Sequence, residues 1–279
     1  MLKKFYKMQG IGNDYIYFDC LETPFEDPSA AAVRLSDRHF GIGGDGIVLI
    51  CPSAVADAKM RMFNADGSEG KMCGNAIRCV GKYLYDFRKT DKTQLKIETL
   101  SGIKTLFLSV ADGETTSVRV DMGAPELAPK NIPVLSGTSF PVVGRETEIA
   151  GGKYAITCVS MGNPHCVVFS DPDAWKIEKT GPMFENAPIF PERTNTEFVK
   201  VLGKNELKMR VWERGSGETW ACGTGACAAA VAAVLNGFAE RNEDILVRLR
   251  GGELVIRWTE DTVYMTGPAT LVFTGEVEV

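Results

Sequence analysis

The chain carries the same thiol-bearing segment twice, about half its length apart. Met72-Cys73-Gly74-Asn75-Ala76 and Ala221-Cys222-Gly223-Thr224-Gly225-Ala226 each open an apolar stretch at helical spacing. Other pairs keep nearly the same offset. Asn13 and Asn163 lie 150 positions apart, as do Asp45 and Asn195, and Ser101-Gly102 and Gly251-Gly252. Cys73 and Cys222 lie 149 apart, as do Asn64 and Glu213, so each thiol follows its matched residue by nine positions. Residues 3–8 and 153–158 read as equivalent short strands. A period of half a chain specifies a duplicated domain and not a solenoid, whose repeats run to about 20–50 residues. Two copies of one domain can present one thiol each to opposite faces of a small molecule. That arrangement suits inversion of a stereocentre, which needs a base on one face and an acid on the other.

A length of 279 residues accommodates two domains, each with its own core. Hydrophobic content of 44% and charged content of 24% are those of a soluble globular protein. The net charge of −5, with no basic run, disfavours a nucleic-acid partner. No apolar stretch approaches the roughly 20 residues that span a bilayer, so no membrane association is expected. The opening Met1-Leu2-Lys3-Lys4-Phe5-Tyr6-Lys7 turns polar before a signal-peptide core forms. A cytoplasmic protein is expected. The eight cysteines include no CxxC pair, which argues against a zinc site and a thioredoxin-like site. Cys20, Cys51, Cys79, Cys158, Cys166 and Cys227 read as small buried hydrophobes.

Strand-like runs dominate both halves, punctuated by glycine, proline, Asp-Gly and Asn-Pro. Asp112-Gly113 between two runs predicts a hairpin. The patterns predict helices over 73–87 and 222–236, the second alanine-rich and ending at Gly237 as a C-cap. Shorter helices are expected over 30–37 and 182–185. Segment 124–150 carries four prolines, has no counterpart in the repeat and reads as a linker, with a hairpin expected over 140–149. The closing strand, 271–277, lies outside the second repeat and is expected to return to the first domain. The domains are therefore drawn as 1–123 plus 268–279, carrying Cys73, and 124–267, carrying Cys222.

A cysteine at a helix start gains acidity, because unpaired N–H groups and the helix dipole favour the thiolate. Those N–H groups also bind carboxylates, and Gly74 and Gly223 admit a ligand close to the backbone. Asn64 ends the strand before Cys73, and Glu213-Arg214 ends the strand before Cys222. Asn64 offers donor and acceptor, Glu213 accepts from an ammonium, and Arg214 grips a carboxylate bidentately. His165, in Asn163-Pro164-His165, is one of only two histidines and is placed to bias a proton at a thiol. Asn195 adds a polar contact. A structural alternative stands beside each of these: glycines for tight turns, Glu213-Arg214 as a solvated pair, Asn195 as a turn residue.

Taken together, Met-Cys-Gly-Asn-Ala-Ile-Arg-Cys, Gly-Asn-Pro-His, Asn-Thr-Glu, Trp-Glu-Arg-Gly and Ala-Cys-Gly-Thr-Gly resemble the diaminopimelate epimerases over nearly the whole chain. The resemblance implies an α/β (α+β) fold of two pseudo-symmetric domains. Each is a barrel-like, mostly antiparallel sheet around a central helix, with the active site in the interdomain cleft. It implies a cofactor-independent isomerase that interconverts LL- and meso-diaminopimelate in lysine and peptidoglycan precursor synthesis, with neither pyridoxal phosphate nor metal. Cys73 and Cys222 match the catalytic cysteines. Asn13, Asn64, Asn163, Asn195, Glu213 and Arg214 match substrate-contacting positions, and Gly74, Asn75, Gly223 and Thr224 the carboxylate cradle. His165 and Glu213 match residues that tune the thiols. The chain departs from some members in having Gly46 where they carry glutamine. The expected partner is a small amino-acid substrate, and the expected assembly a homodimer.

Gly41-Ile42-Gly43-Gly44-Asp45-Gly46 lacks the lysine and helix start of a nucleotide loop. Three other readings compete: a proline- or hydroxyproline-type racemase, an isomerase of the same fold with a carboxylate base, which the two cysteines weigh against, and, in another class, a thiol-disulfide redox protein.

Overall fold

The computed structural model describes residues 1–87 and 89–279. The chain divides into two compact units, Met1–Asp121 with Thr266–Val279, and Met122–Met265. Cys73 lies in the first and Cys222 in the second.

The first unit begins with β1 (Leu2–Gly10) and β2 (Asn13–Asp19), an antiparallel hairpin. Its two-residue turn has positive φ at Ile11 and Gly12, so that β2 starts directly at Asn13. Helix α1 (Pro28–Ser36), capped by the Asp27 side chain, carries the chain to β3 (Gly46–Cys51), parallel to β2. β4 (Ala58–Asn64) runs antiparallel to β3 and is flanked by the short β5 (Glu69–Gly70). Helix α2 (Gly74–Asp86) then crosses to β6 (Gln94–Thr99), parallel to β4. β7 (Gly102–Ala111) and β8 (Glu114–Gly123) complete an antiparallel run, joined by Asp112-Gly113 with positive φ at both residues.

The second unit repeats this order element by element. β9 (Arg145–Ile149) pairs with β10 (Gly152–Ser160), and β10 with β11 (Pro164–Phe169), both antiparallel. Helix α3 (Ile177–Glu185) leads to β12 (Asn195–Gly203), parallel to β11. β13 (Glu206–Glu213) and β14 (Gly217–Glu218) follow, then α4 (Gly223–Leu235) and β15 (Ile245–Leu249), parallel to β13. β16 (Gly252–Trp258) pairs antiparallel with β15, and β17 (Val263–Gly267) ends the repeat. The last strand, β18 (Thr270–Glu278), pairs antiparallel with β1, as β9 does with β10. Each parallel pair is bridged by a helix, because a parallel connection needs a crossover too long for a hairpin. The result is a mixed α/β fold, mostly sheet.

Helix α4 explains its own composition. It touches β10, β11, β12, β13, β15 and β16, and is buried from Gly225 to Ala233. A helix apolar on every side belongs inside a core, and alanine lets strands approach from several directions. It closes with Gly237 at positive φ, whose N–H reaches the Val234 carbonyl. Helix α2 is amphipathic by comparison, burying Ala76, Ile77, Cys79, Val80, Tyr83 and Leu84.

Three sequence expectations change. Helix α3 starts at Ile177, not at Pro182, which lies inside it. Segment 124–150 is no plain linker: Ile132, Val134, Val142 and Ile149 are buried in the second unit's core with Ile156, Ile177, Phe184 and Phe198. Residues 145–149 pair with β10 and form no hairpin within 140–149. Among the described residues no helix is long and apolar enough to cross a membrane.

Candidate active site

Cys73 and Cys222 occupy the same structural position in their units. Each is the N-cap of the unit's longest helix, with extended backbone and its sulfur accepting an N–H from the first turn. The donors are Ala76 N at 3.5 Å and Gly225 N at 3.3 Å. An N-cap normally uses an oxygen here; a sulfur in that place is turned toward the positive helix end.

In the first unit, Cys73 Sγ donates to Asn13 Oδ1 at 3.3 Å. Asn13 Nδ2 donates to Asp45 Oδ2 at 2.7 Å. Asn64 is half-buried at the end of β4, opposite Gly46, with Nδ2 on Ser68 Oγ at 3.0 Å. A Cβ on Gly46 would lie 2.0 Å from the Phe63 carbonyl oxygen, so this loop admits no side chain there. Asn75 is buried, and its Oδ1 accepts from Arg78 Nη1 at 2.9 Å. Its side chain thus faces Arg78.

The second unit surrounds its thiol with acid. Against the gain in acidity expected at a helix start, burial, reinforced by the charges of Glu213 and Glu197, holds the buried Cys222 thiol well above the ordinary range. Thr224 Oγ1 stands 3.5 Å from the sulfur. From Thr224 a polar chain runs inward: Asn163 Nδ2 to Thr224 Oγ1 at 3.3 Å, Asn163 Oδ1 to His165 Nε2 at 3.1 Å, His165 Nδ1 to Glu197 Oε1 at 2.7 Å. His165 and Glu197 are fully buried. His165 therefore reaches Cys222 through Asn163 and Thr224, not by direct contact.

Glu213 accepts from Thr219 Oγ1 at 2.5 Å; burial pushes its carboxyl up, opposed by the contacts with Thr219 and Cys222. Its turn is pinned by Glu185, which accepts from Trp212 Nε1 at 2.6 Å and from Gly215 N at 3.1 Å. Asn195 accepts from the Arg214 backbone N–H at 2.7 Å. The Arg214 guanidinium is half-buried and donates to the Glu192 carbonyl at 2.8 Å.

Glu197 was not singled out from the sequence, yet it anchors the chain behind Cys222. It lies on β12 two residues after Asn195, on the same face, and faces α4 across Gly225. A Cβ on Gly225 would stand 2.7 Å from Glu197 Oε1 and 3.2 Å from Cys222 Sγ. Gly225→Ala is therefore expected to lower turnover roughly 10²-fold by displacing the sulfur or its acid. The helix-propensity gain and the overpacking cost oppose one another, so Tm should shift by only a few degrees. A kinetic assay with a thermal melt checks both. Wild-type kcat would show that the helix start tolerates the methyl.

Among the described residues, no cluster of three or more His, Cys, Asp or Glu side chains is arranged to hold a metal ion.

The family model described as diaminopimelate epimerase matches residues 5–128 and 157–272. A diaminopimelate epimerase of Acetivibrio thermocellus is 57% identical over 278 residues, covering 99% of this chain and 98% of that protein. One from Methanococcus maripaludis is 54% identical over 279 residues, covering 99% of this chain and 100% of that protein. Among solved structures, a PhzF-family phenazine biosynthesis protein from Bacillus anthracis covers all of both chains with a TM-score of 0.72. At 16% identity, that likeness concerns the fold alone.

Proposed function

The chain belongs to the diaminopimelate epimerase family, and on that premise we propose that it interconverts LL- and meso-diaminopimelate using Cys73 and Cys222 as its acid–base pair. The observation that carries this reading is the occurrence of a thiol as N-cap of the equivalent helix in both units. One sulfur, as thiolate, takes the α-proton; the other, as thiol, returns a proton to the opposite face. In the reverse direction the roles exchange. The reading requires both sulfurs to reach one α-carbon in the working enzyme.

An α-proton is weakly acidic, and charge grows on the carboxylate as it leaves. Helix starts supply N–H groups that have no intrahelical acceptor, at Gly74 and Asn75 and at Gly223 and Thr224. Preorganised donors of this kind stabilise developing charge without reorganising. The reading calls on neither pyridoxal phosphate nor metal. Asn13, Asn64, Asn163 and Asn195 are taken as substrate contacts, Glu213 as the acceptor for an ammonium, and Arg214 as the partner of the distal carboxylate. The guanidinium donates to the Glu192 carbonyl through Nη1, and its planar fork suits a carboxylate.

Proton NMR in D₂O tests substrate and reaction together. Incubation with LL-diaminopimelate should wash out the α-proton signal and produce the meso isomer. L-Lysine, which lacks the distal carboxylate, should exchange slower by at least about 10²-fold, because its absence leaves the site's polar groups unpaired. Exchange of proline at a comparable or faster rate would replace the reading with a proline-type racemase. No exchange with any amino acid, alongside reversible oxidation of the two thiols, would favour the redox reading.

A further inference from the structure

The amide of Asn13 is held in one orientation by groups beyond the thiol itself. Asp45 Oδ2 accepts from Asn13 Nδ2 at 2.7 Å and from the Asp14 backbone N–H at 3.2 Å. A carboxylate only accepts, so it selects the NH₂ end of the amide. The other end, Oδ1, is thereby turned onto Cys73 Sγ at 3.3 Å. An amide oxygen accepts an S–H proton but repels a thiolate.

Asp45 is itself fixed. Arg38 Nη2 bridges it to Asp14, at 2.9 and 2.7 Å. Asp14 also pairs with Lys7 Nζ at 2.5 Å, and the Asp45 N–H donates to the Asp14 carbonyl at 2.7 Å. Charged groups around the amide and its thiol include Lys7 on β1, Asp14 on β2, Arg38 after α1, Asp45 before β3 and Arg78 on α2, whose Nη1 donates to the Gly74 carbonyl at 3.0 Å. Tyr17 on β2 lies within electrostatic reach of Cys73.

The second unit offers an internal comparison. Asn195, at the position matching Asp45, accepts from the Arg214 N–H instead. Asn163, matching Asn13, gives its Oδ1 to His165 and its NH₂ to Thr224 at the helix start. The same amide is aimed in opposite senses, and the difference follows from Asp45 in one half and His165 in the other.

Resting on the reading above, we propose that Asp45 is a positioning residue, which through Asn13 holds Cys73 in its thiol form. The glycine loop carrying Asp45 then serves the reaction without touching substrate. A substrate ammonium that takes Asn13 Oδ1 as its acceptor competes with the S–H for the same oxygen and weakens this hold.

The test follows alkylation of Cys73 by iodoacetamide against pH in the full-length protein without substrate. Peptide mass spectrometry separates Cys73 from the other seven cysteines. Asp45→Asn removes the charge and lets the Asn13 amide turn its NH₂ to the sulfur, and both changes favour the thiolate. The Cys73 midpoint should fall by about one pH unit, seen as about tenfold faster alkylation on the rising limb. In an Asn13→Ala background the same substitution should move it much less. The Cys222 profile should stay put, reporting an intact fold. An unchanged Cys73 midpoint in Asp45→Asn would overturn the proposal. So would an equal shift with and without Asn13, since Asp45 would then act by charge alone. Because the assay needs no turnover, its outcome is independent of whether diaminopimelate is the substrate.

Discussion

Cys73→Ala and Cys222→Ala are each expected to fold and to abolish epimerisation, by at least about 10²–10⁴-fold, the usual worth of a positioned acid or base. Each N-cap sulfur accepts one first-turn N–H at 3.3–3.5 Å, and losing a cap costs about 1 kcal/mol, so both variants should remain folded. The residual chemistry should be informative. With Cys222 removed, Cys73 can still take an α-proton and return a solvent-derived one to the same face. Slow deuterium wash-in with retention should then appear for one stereoisomer only, and for the opposite one in Cys73→Ala. Chiral chromatography with mass spectrometry reads both. Near-wild-type turnover in either variant would remove that cysteine from the mechanism, and retention exchange of the same isomer in both would remove the division of faces.

The duplication was legible because its marks are discrete residues at a fixed offset: Cys73 with Cys222, Asn13 with Asn163, Asp45 with Asn195. The alanine-rich pattern over 222–236 likewise marked a helix, α4. Other features were hidden for physical reasons. Glu197 sits in an ordinary strand pattern, and only the parallel pairing of β11 with β12 brings it to His165. Asp45 was visible as a repeat partner, but not that its carboxylate would choose which end of Asn13 meets Cys73. Prolines in segment 124–150 read as breakers, which drew attention from Ile132, Val134 and Val142, whose burial makes that segment part of a core. Pro182 suggested a helix start because proline favours the first turn. The helix instead begins at Ile177, with the Thr180 N–H already donating to the Lys176 carbonyl.

Glu213→Gln should make Cys222 more reactive while making the enzyme slower. Burial is the first cause that holds the Cys222 thiol up, and the Glu213 charge the second. Glutamine keeps the side-chain size and an oxygen for Thr219, so the change is chiefly in charge. Iodoacetamide should therefore alkylate Cys222 at lower pH than in the wild type. Epimerisation should nonetheless fall by roughly 10²-fold or more, because the acceptor proposed for the substrate ammonium is weakened and the thiol's acidity is no longer matched to its task. Stability should move in step. Burial raises the Glu213 carboxyl in the folded state, so its favourable contribution is full below the unfolded value, near 4.3, and is lost as pH rises through the folded value. Glutamine does not titrate, so the variant should melt higher than wild type at pH 7–8, with the difference shrinking toward pH 4. The raised Cys222 thiol adds a second loss above about pH 8.5, where the unfolded thiol ionises and the folded one resists. Easing that ionisation should flatten the alkaline limb of the variant's Tm profile. A Tm difference that does not vary with pH, together with an unchanged Cys222 alkylation profile, would mean that Glu213 is not electrostatically coupled to the thiol and acts on the substrate alone.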